Sequence, residues 1–194
     1  LSSLKRDHLS AADLLNLLSP RAENHLEAMA QKASAVTRQH FGQTISLYAP
    51  LYISDYCTNY CTYCGFNCRT GFQRTRLTLP QIEAEARVIA GMGIRHILLL
   101  TGEAPEKTPR SYLEEAVCLM KPYFPSIAIE MFPMETADYQ VLNRAGVDSL
   151  TVYQETYDRK VYSQVHPGGH KADYLYRLMT PERGASAGFR AVNI

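Results

Sequence analysis

Short apolar runs alternate with amphipathic segments along most of the chain. The apolar runs are predicted β-strands, and they occupy residues 45–54, 95–101, 126–132, 148–153 and 189–194. Helical spacing of apolar residues is found between them, at residues 79–92, 109–122 and 136–145. Strands that are apolar along their length and are separated by helices are typical of a parallel sheet. The pattern therefore predicts an α/β fold with five parallel strands, each joined to the next by a right-handed crossover.

The first 44 residues carry a different pattern, which is helical. Ser10 is predicted to cap one helix, with Asp13 at the capping-box position, and residues 21–40 form a second predicted helix. We therefore divide the chain into an N-terminal helical extension, residues 1–44, and a sheet-containing domain, residues 45–194. Because the chain begins at Leu1 and ends in an apolar run, we expect it to be a fragment of a longer protein.

The amino-acid composition limits the kinds of molecule that the chain is expected to bind. The chain has 194 residues, is 46% hydrophobic and carries a net charge of +1, so it can form a globular core and gives no indication of nucleic-acid or membrane binding. No apolar run approaches the roughly 18 residues that span a bilayer, and no signal peptide is visible. Four of the five cysteines lie in one cluster, which is typical of metal ligation in a reducing compartment. A cytoplasmic location is expected.

Three cysteines, Cys57, Cys61 and Cys64, follow the first predicted strand with C-x3-C-x2-C spacing. Three thiolates this close can each bind one iron of a 4Fe-4S cluster, which normally takes four thiolates. The fourth iron then stays open for a small molecule that has amine and carboxylate groups. A zinc site or three unrelated thiols are the alternatives, but zinc motifs usually pair two C-x2-C units, and the chain has no second unit.

The two remaining cysteines have separate interpretations. Cys68 extends the run to C-x3-C-x2-C-x3-C, and as a fourth ligand it would close the cluster and make the chain an electron-transfer module. We favour three ligands, because a closed site would leave the acidic residues after the later strands without a purpose. Cys118 lies in a helical pattern and is predicted to be a buried core thiol.

The cysteine motif, with Thr101, Gly102 and Glu103 after the second predicted strand, resembles the radical S-adenosylmethionine superfamily. Nearly the whole chain is similar to the tyrosine lyases of bacterial thiazole biosynthesis. The hydrogenase-maturation tyrosine lyases are the family most easily confused with them. The segments that carry this resemblance are residues 4–10, 50–57, 64–66, 98–103, 152–157 and 177–183. The resemblance implies a (β/α) TIM-type barrel, of which about five strands are present here, with its site at the C-terminal rim.

The resemblance also implies an activity. A reduced 4Fe-4S cluster passes one electron to S-adenosyl-L-methionine, and the resulting adenosyl radical takes a hydrogen atom from tyrosine. The Cα–Cβ bond of tyrosine breaks to give 2-iminoacetate, which would feed thiazole synthase in thiamine biosynthesis, and p-cresol. Flavodoxin or ferredoxin would supply the electron. Another radical lyase of the hydrogenase-maturation type, a four-cysteine electron carrier and an inactive truncated copy stay open as alternatives.

Five residues match family positions that bind the cofactor. Tyr63 corresponds to the aromatic residue beside the adenine, and Gly102 and Glu103 to the stretch that binds the methionyl amine. Glu155 corresponds to the carboxylate that accepts hydrogen bonds from the ribose, and Arg177 to the position that pairs with the cofactor carboxylate. Each also has an ordinary structural interpretation: loop packing for Tyr63, a strand-end turn for Gly102 and Glu103, and surface positions for Glu155 and Arg177.

Two further polar residues are candidates for substrate contact, although the sequence identifies no catalytic residue. Glu130 interrupts an apolar strand, and a buried charge needs a partner, which would be the substrate, the cofactor or a basic residue on a covering helix. Gln154 is next to Glu155 and is expected to reach the same cavity. The segment from His166 to His170 could bind a metal, but Pro-Gly-Gly between the two histidines favours a turn.

Overall fold

A computed structural model of the chain describes residues 2–194, and its centre is one parallel sheet. The five strands are β1 (Tyr48–Ser54), β2 (His96–Thr101), β3 (Ser126–Glu130), β4 (Val147–Thr151) and β5 (Ala191–Asn193). Neighbours in the sheet are neighbours in sequence, in the order β1-β2-β3-β4-β5, and all four pairings are parallel. The predicted α/β fold with five parallel strands is therefore confirmed.

The strand register explains why one face of the sheet is a core and the other carries polar groups. A row of apolar side chains crosses the sheet in register: Leu51, Leu99, Ile129, Leu150 and Val192. The first four are buried. The next row, which points to the opposite face because side chains alternate along a strand, contains Tyr52, Leu100, Glu130 and Thr151. One row forms the core, and the other is available for a site.

Helices connect the strands of this sheet. They are α3 (Leu79–Gly91), α4 (Arg110–Met120), α5 (Thr136–Ala145), α6 (Arg159–Val165), α7 (Tyr174–Leu178) and α8 (Thr180–Ser186). Thr78 and Gln81 form a capping box at the start of α3, and Gly146 is the C-cap of α5. The connection from β4 to β5 contains α6 to α8.

One prediction about α4, that Cys118 is buried, is wrong. The buried side of α4 is formed by Leu113, Ala116, Val117 and Met120, whereas the side chain of Cys118 is exposed. The helical pattern was predicted correctly, but Cys118 lies one residue past Val117, and a step of about 100° around the helix moves it off the buried face.

The N-terminal residues form a separate compact unit, which ends at Ser46, and the second unit runs from Leu47 to Ile194. The first unit contains α1 (Ala11–Leu17), with the predicted capping box between Ser10 and Asp13, and α2 (Leu26–Phe41). The predicted single helix over residues 21–40 is wrong in its first turn, where Pro20–His25 forms a 3₁₀-helix. His25 has non-helical backbone angles and separates the two helices. Within residues 2–194, no helix is both long and apolar enough to cross a membrane.

Candidate active site

A cavity of about 240 Å³ lies where β1 to β4 end. The cysteine loop follows β1 directly, Gly102 and Glu103 follow β2, and Glu155 comes shortly after β4. Because the strands are parallel, their carboxyl ends meet at one edge of the sheet, which is where such folds place their sites. The cavity is lined by residues from all of these segments, and by Lys171 and Arg177 from the connection to β5.

Three cysteines of the loop line this cavity: Cys57, Cys61 and Cys64. Cys68 does not line it. Burial raises the pKa of the Cys61 thiol, and the nearby thiols of Cys57 and Cys64 raise it further, while Lys171 lowers it. Among residues 2–194, no three His, Cys, Asp or Glu side chains converge on one point as ligands of a single metal ion do. A 4Fe-4S cluster needs no such point, because each thiolate binds a different iron.

Hydrogen bonds and one half-buried cation, Arg74, hold the cysteine loop in place. The amide of Thr58 donates to the carbonyl oxygen of Glu103 at 2.9 Å, and the side-chain hydroxyl of Thr58 donates to the same oxygen at 3.0 Å. On the other side, the guanidinium of Arg74 donates to the carbonyl oxygens of Asp55, Phe66 and Asn67 at 2.6 to 2.9 Å. The loop is therefore fixed to β2 at one end and folded around Arg74 at the other.

Gly102 lies against the start of the loop. Its amide donates to the carbonyl oxygen of Ser54 at 2.9 Å, and a Cβ atom at this position would overlap the carbonyl oxygen of Tyr56. A glycine is needed here because the two backbone segments approach too closely for any side chain. The close approach brings Glu103, the next residue, to the cavity beside the cysteines.

Glu103 and Arg177, both predicted from the sequence, face each other across the cavity wall. The Nη1 atom of Arg177 lies 3.6 Å from Oε2 of Glu103, and both side chains are largely buried. The Nε atom of Arg177 donates to the carbonyl oxygen of Tyr153 at 2.7 Å, which fixes the plane of the guanidinium. A fixed carboxylate beside a fixed guanidinium matches the ammonium and carboxylate of an amino acid group.

Glu155 is held by Lys171, a residue that the sequence analysis missed. The Nζ atom of Lys171 lies 2.7 Å from Oε1 of Glu155. Glu155 has a backbone φ of 71°, in the left-handed region that residues other than glycine rarely adopt. Lys171 follows His170 in a segment that was interpreted only as a turn. A lysine has no sequence signal that separates this buried position from a surface one.

Tyr63 hydrogen bonds to His166, at 2.7 Å between the phenol oxygen and Nε2. The Nδ1 atom of His166 lies 3.0 Å from the carbonyl oxygen of Tyr162, which can only accept, so Nδ1 carries the proton and Nε2 accepts from Tyr63. Burial lowers the pKa of His166, and the charge of Lys171 lowers it further, so the ring is held neutral. His166 therefore orients the tyrosine that sits between Cys61 and Cys64.

The two predicted substrate residues have different positions. Glu130 lines the cavity, and burial raises the pKa of its carboxyl, with the charge of Glu155 adding to the effect. Gln154 is buried outside the set of lining residues, and its amide donates to the carbonyl oxygen of Tyr174 at 3.3 Å. The expectation that Gln154 reaches the cavity is wrong, because its side chain bonds instead to the backbone of Tyr174 in the connection to β5.

Thr101 provides a further polar group, to which the sequence pattern assigned no role of its own. Thr101 lines the cavity. The oxygen of its hydroxyl group is buried and has no hydrogen-bond partner among residues 2–194. Buried polar groups are nearly always paired in native structures, so this hydroxyl is a candidate to bind a ligand in the cavity. Together with the three thiols, the three carboxylates and the two cations of the lining, this hydroxyl fits an iron–sulfur cluster beside an amino acid nucleoside.

In comparisons with known proteins, the chain is similar to enzymes of a single superfamily. The family model described as the radical SAM superfamily matches residues 51–180. The chain is 40% identical over 192 residues to the 2-iminoacetate synthase of Salmonella typhimurium, covering 99% of this chain and 51% of that protein. It is 31% identical over 179 residues to the 3-methylornithine synthase of Methanosarcina acetivorans, covering 91% and 51% of the two chains. The chain thus spans about half the length of these curated relatives.

A solved structure is similar to the fold. The crystal structure of HydG, a maturase of the FeFe-hydrogenase, matches with a TM-score of 0.88 at 28% identity, covering 98% of this chain and 43% of that one. The predicted partial TIM-type barrel is confirmed by this match together with the five parallel strands.

Proposed function

This chain belongs to the radical SAM superfamily, and we propose that within it the chain is the radical-generating part of a lyase that cleaves the Cα–Cβ bond of tyrosine. The superfamily uses a 4Fe-4S cluster and S-adenosylmethionine. When bound, these two groups supply one-electron cleavage of the cofactor and a radical that abstracts hydrogen. The residues of this chain bind, orient and shield the reactants for that chemistry.

The proposed role of each residue follows from its position in the cavity. Cys57, Cys61 and Cys64 would hold three irons of the cluster and leave one open. Glu103 would bind the ammonium of the methionyl group and Arg177 its carboxylate, since the two side chains are already fixed beside each other. Glu155 would accept hydrogen bonds from the ribose, and Tyr63, oriented by a neutral His166, would lie beside the adenine.

The observation that carries this proposal is that three cysteines of one loop line the same cavity as Glu103 and Glu155. An electron carrier needs a closed cluster and has no use for carboxylates around an open space. Cys68, the only candidate for a fourth ligand in the loop, lies outside the set of lining residues. The radical enzyme is therefore favoured over the carrier.

The choice of tyrosine rests on similarity rather than on a visible substrate pocket. The identity of 40% to a 2-iminoacetate synthase exceeds that of 31% to a 3-methylornithine synthase. Glu130 is available in the cavity for a polar group of the substrate. The products would be 2-iminoacetate and p-cresol, with thiazole synthase consuming the first. Flavodoxin or ferredoxin would supply the electron.

The test is anaerobic incubation of the protein, in the longest form that its gene encodes, with dithionite, S-adenosylmethionine and one amino acid at a time. We expect p-cresol from tyrosine by chromatography. Formation of 3-methylornithine from another amino acid, with no p-cresol, would reject the tyrosine assignment.

The similarity to HydG favours a hydrogenase-maturation lyase as the second candidate. We expect that kind of enzyme to carry a second cluster, so iron analysis of the same preparation separates the two: about four irons per chain for the first candidate and about eight for the second.

A further inference from the structure

Asn59 lies between two of the cysteines and connects three parts of the chain that are distant in sequence. Its Nδ2 atom donates to Oε2 of Glu103 at 2.8 Å, and its Oδ1 atom accepts from the backbone amide of Lys171 at 2.8 Å. Its own carbonyl oxygen accepts from the amide of Cys68 at 3.0 Å. One side chain thus joins the cysteine loop, the end of β2 and the connection from β4 to β5.

The chemistry of the partners fixes the orientation of this amide. A carboxylate can only accept and a backbone amide can only donate, so the Asn59 nitrogen must face Glu103 and its oxygen must face Lys171. Asn59 is only 2% exposed, so water cannot take over either bond if the side chain is changed. Of the natural side chains of similar size, an asparagine alone offers a donor and an acceptor in this geometry.

The turn after α6 also holds Asn59 and its neighbours in place. The amides of Tyr60 and Thr62 donate to the carbonyl oxygens of Gly168 and Val165, both at 3.0 Å. A Cβ atom at Gly169 would overlap the amide oxygen of Asn59, and Gly169 has a φ of 87°. The glycines of this turn are therefore needed because the turn lies directly against the cysteine loop.

The position of Glu103 shows what this network achieves. The bond from Asn59 and the contact from Arg177 both fall on Oε2 of Glu103. Within the part of the chain that the structure describes, Oε1 receives no hydrogen bond, and Glu103 lines the cavity. One oxygen of the carboxylate is anchored, and the other is left available for a ligand ammonium in the cavity.

We propose that Asn59 is a positioning residue, which aims the carboxylate of Glu103 at the ammonium of a bound amino acid group and couples that carboxylate to the cysteine loop. This role rests on the proposed function, because the ligand that Glu103 receives is S-adenosylmethionine. Asn59 also lines the cavity, but both polar atoms of its side chain are already bonded to Glu103 and Lys171, so its effect on the ligand is exerted through Glu103.

The test compares Asn59→Asp with the matched variant Asn67→Asp. Aspartate at position 59 keeps the acceptor for Lys171 but replaces the donor to Glu103 by a second carboxylate. Asn67 is also in the cysteine loop, and its side chain bonds to the backbone of Cys61 and Arg69 without contacting Glu103. Each protein is reconstituted anaerobically, its iron content is measured, and S-adenosylmethionine is titrated while the paramagnetic resonance of the reduced cluster is followed.

We expect Asn59→Asp to weaken cofactor binding per cluster at least about tenfold, because a charge-assisted bond is replaced by repulsion. Asn67→Asp should bind as the unaltered protein does. Equal affinity in Asn59→Asp and the unaltered protein, or equal loss in both variants, overturns the proposal. Absence of any response in the unaltered protein would instead reject the proposed function, and this role with it.

A second variant covers the case in which Asn59→Asp retains no iron. Adding Glu103→Gln removes one of the two facing carboxylates and lets the Gln amide donate to Asp at position 59. Iron content should then return to the level of the unaltered protein. If it does not return, the loss does not come from Glu103, and the proposal is wrong.

Discussion

The ammonium group of Lys171 lies 2.7 Å from the carboxylate of Glu155, a residue whose backbone is in the left-handed region. Such a backbone costs of order 1 kcal/mol for a residue with a side chain, and it persists where the surroundings fix it. Here the ion pair holds Glu155, which lines the cavity. The strain is located at a residue that we assign to the cofactor, which is consistent with a functional reason for it.

The strain at Glu155 predicts a gain in stability when it is removed. Lys171→Met deletes the ion pair and leaves the left-handed backbone of Glu155 in place. Adding Glu155→Gly to that variant should raise the free energy of unfolding by about 1 kcal/mol, because glycine adopts a positive φ freely. Urea unfolding of the two variants measures the difference. A double variant that is less stable than Lys171→Met alone would show that Glu155 is not strained.

The cysteine assignment predicts which thiols are needed for a cluster. Ser in place of Cys57, Cys61 or Cys64 should abolish the absorbance of the reconstituted cluster, because each thiolate binds a different iron. Cys68→Ser is the matched control from the same loop, since Cys68 does not line the cavity, and it should keep the cluster. Loss of the cluster in Cys68→Ser would favour the closed, four-cysteine site.

The position of Glu130 predicts a pH-dependent stability difference. Burial, and then the charge of Glu155, raise the pKa of Glu130 above its ordinary value of 4.5, whereas Arg177 and Lys171 oppose the rise. A carboxyl with a raised pKa in the folded state loses stability as the pH rises from its unfolded pKa through its folded pKa. Glu130→Gln removes that loss.

The comparison of Glu130→Gln with the unaltered protein should therefore change with pH. The two should differ little below pH 4.5, and the variant should become the more stable one as the pH rises toward neutrality. Thermal unfolding from acid to neutral pH measures this. A difference that does not change with pH would mean that the carboxyl of Glu130 is not perturbed.

The unpaired hydroxyl of Thr101 predicts a separation of stability from ligand binding. Thr101→Val removes no hydrogen bond within residues 2–194, so the free energy of unfolding should not fall, while cofactor affinity should. Thr108→Val is the control, because its buried hydroxyl donates to the carbonyl oxygen of Ala104 at 3.2 Å. That variant should lose about 1 kcal/mol of stability and keep the affinity. Unchanged affinity in Thr101→Val would leave the hydroxyl without a ligand.

Sequence patterns predicted the parts of this molecule that depend on short-range periodicity. The strands carry apolar residues on the face that packs into the core, and the cysteine spacing is local, so both are visible in the sequence. Asn59 and Lys171 are not predictable in this way, since their partners lie up to 112 residues away. The prediction for Cys118 was wrong because one residue step decides which face of a helix a side chain occupies, and that for Gln154 was wrong because a bond to the distant residue Tyr174 decides its direction.

The central claim is that three cysteines hold a cluster whose open iron receives S-adenosylmethionine. The most direct measurement is the paramagnetic resonance spectrum of the dithionite-reduced, reconstituted protein, recorded with and without the cofactor. The claim predicts that the cofactor changes the spectrum of the cluster, and that Glu103→Ala weakens this change. A spectrum that stays the same at saturating cofactor, in a chain as long as the relatives, would contradict it.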